Sequence, residues 1–155
     1  LPRHSETRLL PWSPEQMFEL VADVQRYPEF LPWVAAVRPR QKADELTVWD
    51  MSVGFKSLRE TFTSRVKLNR GQPGHIDVDY VSGPLKHLHN DWFFHPAPDG
   101  ATRLEFSVDF EFKSKIFEKL AGAFFHEAFK HMVSSFEARA AKLYGSSSLS
   151  ATSAA

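Results

Sequence analysis

The sequence predicts an α+β domain in which an antiparallel sheet is gripped by a long C-terminal helix, and three observations carry that expectation. Apolar residues recur at spacings of three and four over residues 115–144, the period of a helix with one buried face. Residues 35–112 alternate apolar and polar with period two, the signature of half-buried strands. Turn residues separate those strands at intervals too short for helical crossovers, which selects an antiparallel meander over parallel pairing.

Each element has a local cause. Arg8-Leu9-Leu10 closes a first strand. Ser13-Pro14-Glu15-Gln16 then opens a short helix: Ser13 is suited to cap, Pro14 tolerates the first turn because it has no N–H to satisfy, and Gln16 reaches back to the cap. Trp12 and Met17 are placed to staple that start, and Met17, Phe18, Val21 and Val24 form the buried stripe. The helix is expected to stop before Pro28, since the residue preceding a proline avoids helical geometry. An aromatic turn follows, Tyr27-Pro28-Glu29-Phe30-Leu31-Pro32-Trp33.

A less regular strand is expected over residues 35–40. After it, Trp49, Met51, Val53 and Phe55 share one face; so do Leu58, Glu60, Phe62, Ser64 and Val66, then Ile76, Val78 and Tyr80, then Leu88, Trp92 and Phe94, and finally Leu104 to Phe112 at every second position. Asn69-Arg70-Gly71, Gly83-Pro84 and Pro98-Asp99-Gly100 supply the turns. The last helix carries Phe117, Leu120, Phe124, Ala128, Met132, Phe136, Ala140 and Leu143, widened by Phe125, Phe129 and Val133. As one piece it would run roughly 45 Å at 1.5 Å per residue. Gly145 is a natural stop, so residues 1–145 form the expected domain, and residues 146–155 are a small-residue tail expected to be disordered.

Composition bounds function. The 155 residues with 43% hydrophobic content suit one domain with a full core. Fourteen Phe, four Trp and three Tyr exceed what a minimal core requires, while 19 basic and 19 acidic side chains cancel. A lipid is therefore a more natural partner than nucleic acid, which a neutral chain does not attract at long range. The absence of cysteine excludes disulfides, thiolate metal sites and cysteine nucleophiles. No apolar run approaches the roughly 18 residues of a membrane span, and the opening residues lack the pattern of a secretory signal.

The order of elements resembles the helix-grip fold of START-like (Bet v 1-like) lipid-binding domains. Four motifs narrow the resemblance: the aromatic turn; Leu58-Arg59-Glu60-Thr61-Phe62-Thr63-Ser64-Arg65-Val66; Gly83-Pro84-Leu85 followed by Trp92; and Phe136-Glu137-Ala138-Arg139-Ala140. Together they are similar to the Coq10 family, which shares a broader grouping with the ribosome-association toxin RatA and the polyketide cyclase-like helix-grip proteins. The resemblance implies a ubiquinone (coenzyme Q)-binding chaperone or carrier for respiration, with no catalytic residues, no metal and no cofactor beyond the bound quinone or a similar polyprenyl lipid. It also implies a location peripheral to the bacterial inner membrane on the cytoplasmic side, or on the matrix side of a mitochondrion. Ribosome binding and a polyketide cyclase-like activity are the alternatives.

On that implication Glu60 and Ser64 contact the quinone oxygens, Trp49, Tyr80 and Trp92 offer stacking or hydrogen-bonding surfaces, and Phe55, Phe62, Phe94, Phe124, Phe125 and Phe129 bury the isoprenoid. Leu31, Trp33, Pro84, Leu85 and Lys86 touch the membrane surface. Bland readings compete: the Phe stripe as core, Glu60 as a structural hydrogen-bonding group, and Arg59, Arg65 and Lys67 as a solvated sheet face. His87, His89 and Asp91, with His95, lie on the face opposite Trp92, so solvent exposure is expected and a metal is not.

Overall fold

The computed structural model describes residues 3–55 and 57–145. Seven strands form one antiparallel sheet in the order β1-β7-β6-β5-β4-β3-β2: β1 Arg3–Leu10, β2 Val34–Lys42, β3 Leu46–Phe55, β4 Leu58–Asn69, β5 Gly74–Ser82, β6 Leu85–Pro96 and β7 Thr102–Phe112. Strands β2 to β7 are a meander, and β1 closes the far edge against β7. The helix-grip expectation holds. The tail, residues 146–155, lies outside the described residues.

The first helix, α1 (Pro14–Ala22), starts as its sequence dictates. Ser13 Oγ accepts from the Gln16 N–H at 3.1 Å, and the Ser13 N–H donates to Gln16 Oε1 at 3.0 Å. Trp12 and Met17 are both buried, and the Trp12 indole N–H donates to the Gly145 carbonyl at 3.2 Å, tying the two ends of the domain together. The chain tightens into a 3₁₀ segment, Val24–Glu29, that contains Pro28. Strand β2 is irregular, with register shifts between Val34 and Ala36 and between Pro39 and Gln41.

The C-terminal helix is two helices. α2 (Lys115–Lys130) and α3 (Met132–Tyr144) are separated by His131, at φ −98° and ψ 1°. α3 is fixed by ion pairs at both flanks. Glu137 accepts from Arg8 on β1 at 2.7 Å, and Arg139 donates to Glu29 at 2.7 Å while its guanidinium sits 5.1 Å from the Phe30 ring. Phe136, fully buried, packs edge-on against Tyr27, Phe30 and Trp92 at 5.0–5.4 Å. Burial of one such side chain stabilises the fold by about 1.5–3 kcal/mol. The Phe136 to Arg139 motif is thus the clamp that seats the helix on the aromatic turn and on β1.

Candidate functional site

A cavity of about 130 Å³ lies between the concave sheet face and the two C-terminal helices, with Tyr27 and Leu31 of the aromatic turn also in its wall. Strands β3 to β6 supply its floor, and Phe124, Phe125, Ala128 and Phe129 of α2 its roof. The strand alternation places Trp49, Phe62, Ser64 and Trp92 there together with Phe124, Phe125 and Phe129, as expected from the sequence. Phe62 and Phe125 stack at 5.5 Å across the gap between sheet and helix.

Trp49 and Ser64 are directly opposed cross-strand partners. The Trp49 side chain is buried, yet its indole N–H has no hydrogen-bond partner among the described residues. A buried donor left unpaired costs about 1–3 kcal/mol, and the cross-strand partner Ser64, which lines the cavity, carries a hydroxyl that rotates to donate or accept. Asn90 also lines the cavity, but both ends of its amide are engaged: it accepts from the Trp92 indole at 2.9 Å and donates to the Ser107 carbonyl at 2.8 Å. Asn90 escaped the sequence reading, although it stands between Leu88 and Trp92 on the apolar parity of β6. The Tyr27 phenol donates to the Val21 carbonyl, and burial, with a contribution from Asp23, pushes its pKa far up. Among the described lining residues there is no carboxylate, imidazole, ammonium or guanidinium.

Several expected site residues lie elsewhere. Phe94 is buried outside the cavity, because α1 covers that end of the sheet and Phe18 packs edge-on against it at 5.3 Å. Glu60 lies outside the lining, close enough to Tyr80 that its charge adds to burial in raising the phenol pKa. Tyr80 is likewise not a wall residue. Its oxygen accepts from the Leu85 N–H at 2.8 Å, and it crowds Gly83, where φ is +142° and a Cβ would come within 2.9 Å of that oxygen. The Gly83-Pro84-Leu85 motif is therefore a hairpin lock. The Phe55 side chain lies outside the described residues.

The membrane-contact assignment is corrected in part. Leu85 is fully buried because the register shifts between Leu85 and His87, which turns the side chain inward. Leu31 is 1% exposed and lines the cavity. Pro84 is half-buried, and Lys86 is exposed at 3.7 Å from Glu111. Trp33 has a different role: with Phe124 and Ala128 it belongs both to the cavity wall and to an outer groove of about 610 Å³ bordered by Ala123 and His131. Groove and cavity lie on the two sides of these three residues.

The convex sheet face carries a His–Asp ladder. His75 pairs with Asp91 at 2.7 Å, His87 with Asp109 at 2.7 Å, and His89 bridges Asp79 and Asp91 at 2.8 Å each. Ligand atoms of His75, Asp77 and Asp91 lie within 4.8 Å of one another, as do those of Asp77, Asp79 and His89. These side chains are half-buried, not freely solvated as their parity suggested. Burial opposes protonation of His89, but the hydrogen bond to Asp79 and the charges of Asp91, Asp77 and Asp79 outweigh it and raise its pKa.

Comparison with known proteins agrees with this architecture. The chain is 38% identical over 144 residues to the ribosome association toxin RatA of Escherichia coli, covering 93% of this chain and 90% of that one. It is 37% identical over 148 residues to the mitochondrial coenzyme Q-binding protein COQ10 homolog B of Xenopus laevis, covering 92% of this chain and 59% of the relative. Among solved structures, the 18 kDa protein CC1736 of Caulobacter crescentus superposes with a TM-score of 0.73 at 40% identity, covering 94% and 99% of the two chains. The Zhui aromatase/cyclase of Streptomyces superposes at 0.78 with 16% identity, covering 90% and 93%, which establishes the shared fold alone. The model of the polyketide cyclase / dehydrase and lipid transport family matches residues 10–137, and with the gripped seven-stranded sheet this places the chain in that family.

Proposed function

We propose that the protein binds and carries a quinone lipid of the ubiquinone type, without chemical turnover, in support of respiratory electron transport. The observation that carries this reading is the Ser64 hydroxyl, opposite Trp49, in a cavity whose lining is mainly apolar and whose Tyr27 and Asn90 groups are already hydrogen-bonded. A quinone ring is apolar and presents only acceptors, its carbonyl and alkoxy oxygens, so it accepts from that hydroxyl without bringing a donor of its own. A lining without charged groups among the described residues suits noncovalent binding better than acid–base chemistry. The relative named as coenzyme Q-binding supports the same ligand.

Volume divides the ligand in two. A cavity of about 130 Å³ is on the scale of the roughly 150 Å³ engineered sites that hold a benzene ring, so it suits the ring and not a polyprenyl chain. The chain would leave between Trp33 and Phe124 into the outer groove, where each methylene withdrawn from water contributes about 0.8 kcal/mol. Such a carrier works at the surface of a quinone-containing membrane. No helix among the described residues is long and apolar enough to cross one.

The test is purification without detergent, organic extraction and mass spectrometry. Quinone should be enriched over phospholipid relative to the source membranes, and a lipid extract matching those membranes would defeat the proposal. Ribosome association is a second reading, supported by the RatA-named relatives and by exposed Arg59, Arg65 and Lys67 on one face of β4. Zero net charge predicts that such binding is weak and lost at moderate salt. Salt-resistant binding to a ribosomal subunit, with blocked subunit joining, would favour it.

A further inference from the structure

The outward face of α2 is apolar where a surface helix is ordinarily charged. Ile116 and Leu120 are 75% and 73% exposed, and Ala123 is exposed beside them. At about 100° per residue these three fall on one ridge, opposite the buried Ala121 and Phe125. The helix thus presents apolar residues both to the core and to solvent. Lys115, Lys119 and Lys130 line one flank of the ridge, and Lys113 stands just before the N-cap Ser114; all four are exposed. Among the described residues none of these lysines has an ion-pair partner within 4.0 Å. Of the two acidic groups on α2, Glu118 lies on the lysine side of the helix, bordering one surface hollow with Lys113 and Lys115, and Glu127 falls on the ridge line beyond Ala123, 3.2 Å from His131. In a chain of zero net charge, four lysines against two glutamates leave a net cationic flank beside an apolar ridge.

The ridge also adjoins the outer groove. Ala123 borders both, and Trp33, Phe124 and Ala128 stand between that groove and the cavity, lining each. We infer that α2 is a membrane-docking element. The Ile116–Leu120–Ala123 ridge enters the headgroup–acyl boundary of an anionic bilayer, the lysines lie against lipid phosphates, and the groove opens toward the acyl chains. The role of the groove as a lipid path rests on the carrier reading above. The docking itself does not.

Flotation of the full chain with quinone-free vesicles tests it, using phosphatidylcholine mixed with phosphatidylglycerol against phosphatidylcholine alone. The wild type should prefer the anionic vesicles and release as salt rises. Ile116→Gln with Leu120→Gln should lower vesicle partitioning at least about tenfold, since burying one such side chain is worth that much. Lys115→Glu with Lys119→Glu should abolish the preference for the anionic lipid. The thermal midpoints should stay at the wild-type value, because the side chains are exposed and glutamine is a good helix former. Wild-type protein that ignores anionic vesicles, or variants that bind them as well as wild type, would overturn the inference. So would a dimer in sedimentation velocity that the Ile116/Leu120 variant dissociates, with no vesicle binding, since the ridge would then be covered by a second copy. Quinone titrated in the absence of vesicles should bind all variants alike; intact docking by a protein that binds no quinone would remove the carrier reading and leave docking standing.

Discussion

The Trp49 indole N–H is buried without a hydrogen-bond partner among the described residues, and Ser64 is opposite Trp49 in the strand register. On the carrier reading, a ligand oxygen that reached this donor would relieve a cost the free protein carries. Trp49→Phe removes the N–H and keeps an aromatic surface, so affinity for a short-chain quinone should fall roughly fivefold to tenfold, the worth of one hydrogen bond. Stability in urea should change by less than about 1 kcal/mol, because relief of the unpaired donor offsets the lost volume. Unchanged affinity would remove Trp49 from the binding contacts. Residues such as Trp49 and Ser64 were legible because strand parity assigns a face. Parity does not say where along the face the cavity ends, which is why Phe94, covered by Phe18, and Glu60, beyond the lining, were misplaced. Leu85 failed for another reason, since the register shift before His87 reverses the face and leaves no mark in the composition of the turn.

Elements were legible where capping or turn chemistry marks their ends. Ser13 and Gln16 announce α1, and Gly83, held at positive φ against Tyr80, announces the hairpin between β5 and β6. The break at His131 has no such mark: neither glycine nor proline stands there, and apolar spacing continues across it. The His–Asp ladder was also hidden, because it joins β5, β6 and β7 residues that only the sheet register makes neighbours. It makes stability depend on pH. With its folded pKa raised above the ordinary 6.5, His89 contributes stability that is full below about that value and lost as pH rises through the folded pKa. Its charge partners are Asp77 and Asp79 on β5 and Asp91 on β6. Unfolding midpoints compared across this window should therefore fall for wild type more than for His89→Gln. Parallel curves for the two proteins would show that the ladder is not linked to folding.

At the scale of the molecule, one apolar core runs from Trp12 beside α1 to Phe112 at the end of β7, so unfolding should be a single cooperative transition. A ligand seated inside that core must stabilise the whole. Short-chain quinone at about 100 times its dissociation constant adds about 2.7 kcal/mol, which for a domain of this size raises the midpoint by roughly 5–10 °C. Scanning calorimetry with and without ligand measures it, and a shift equal to that given by an unrelated apolar additive would count against selective binding. The global architecture was the most legible level of all. Period-two segments separated by short turns permit few topologies, and the observed order β1-β7-β6-β5-β4-β3-β2 is the meander they favour, with β1 added at its open edge.

The interruption at His131 divides the grip into two parts with different anchorage. α3 is held by Arg8 and Arg139 and by the buried Phe136, whereas α2 meets the sheet through Phe125 and its neighbours and turns Ile116 and Leu120 to solvent. Deuterium uptake should separate them: α3 amides should exchange only with global unfolding, and the first turns of α2 should exchange through local opening. The helix that roofs the cavity would then be the one able to fray without unfolding the sheet, and bound ligand should slow its exchange first. Equal protection along residues 115–144 would mean that the two helices behave as one rod despite the break between them.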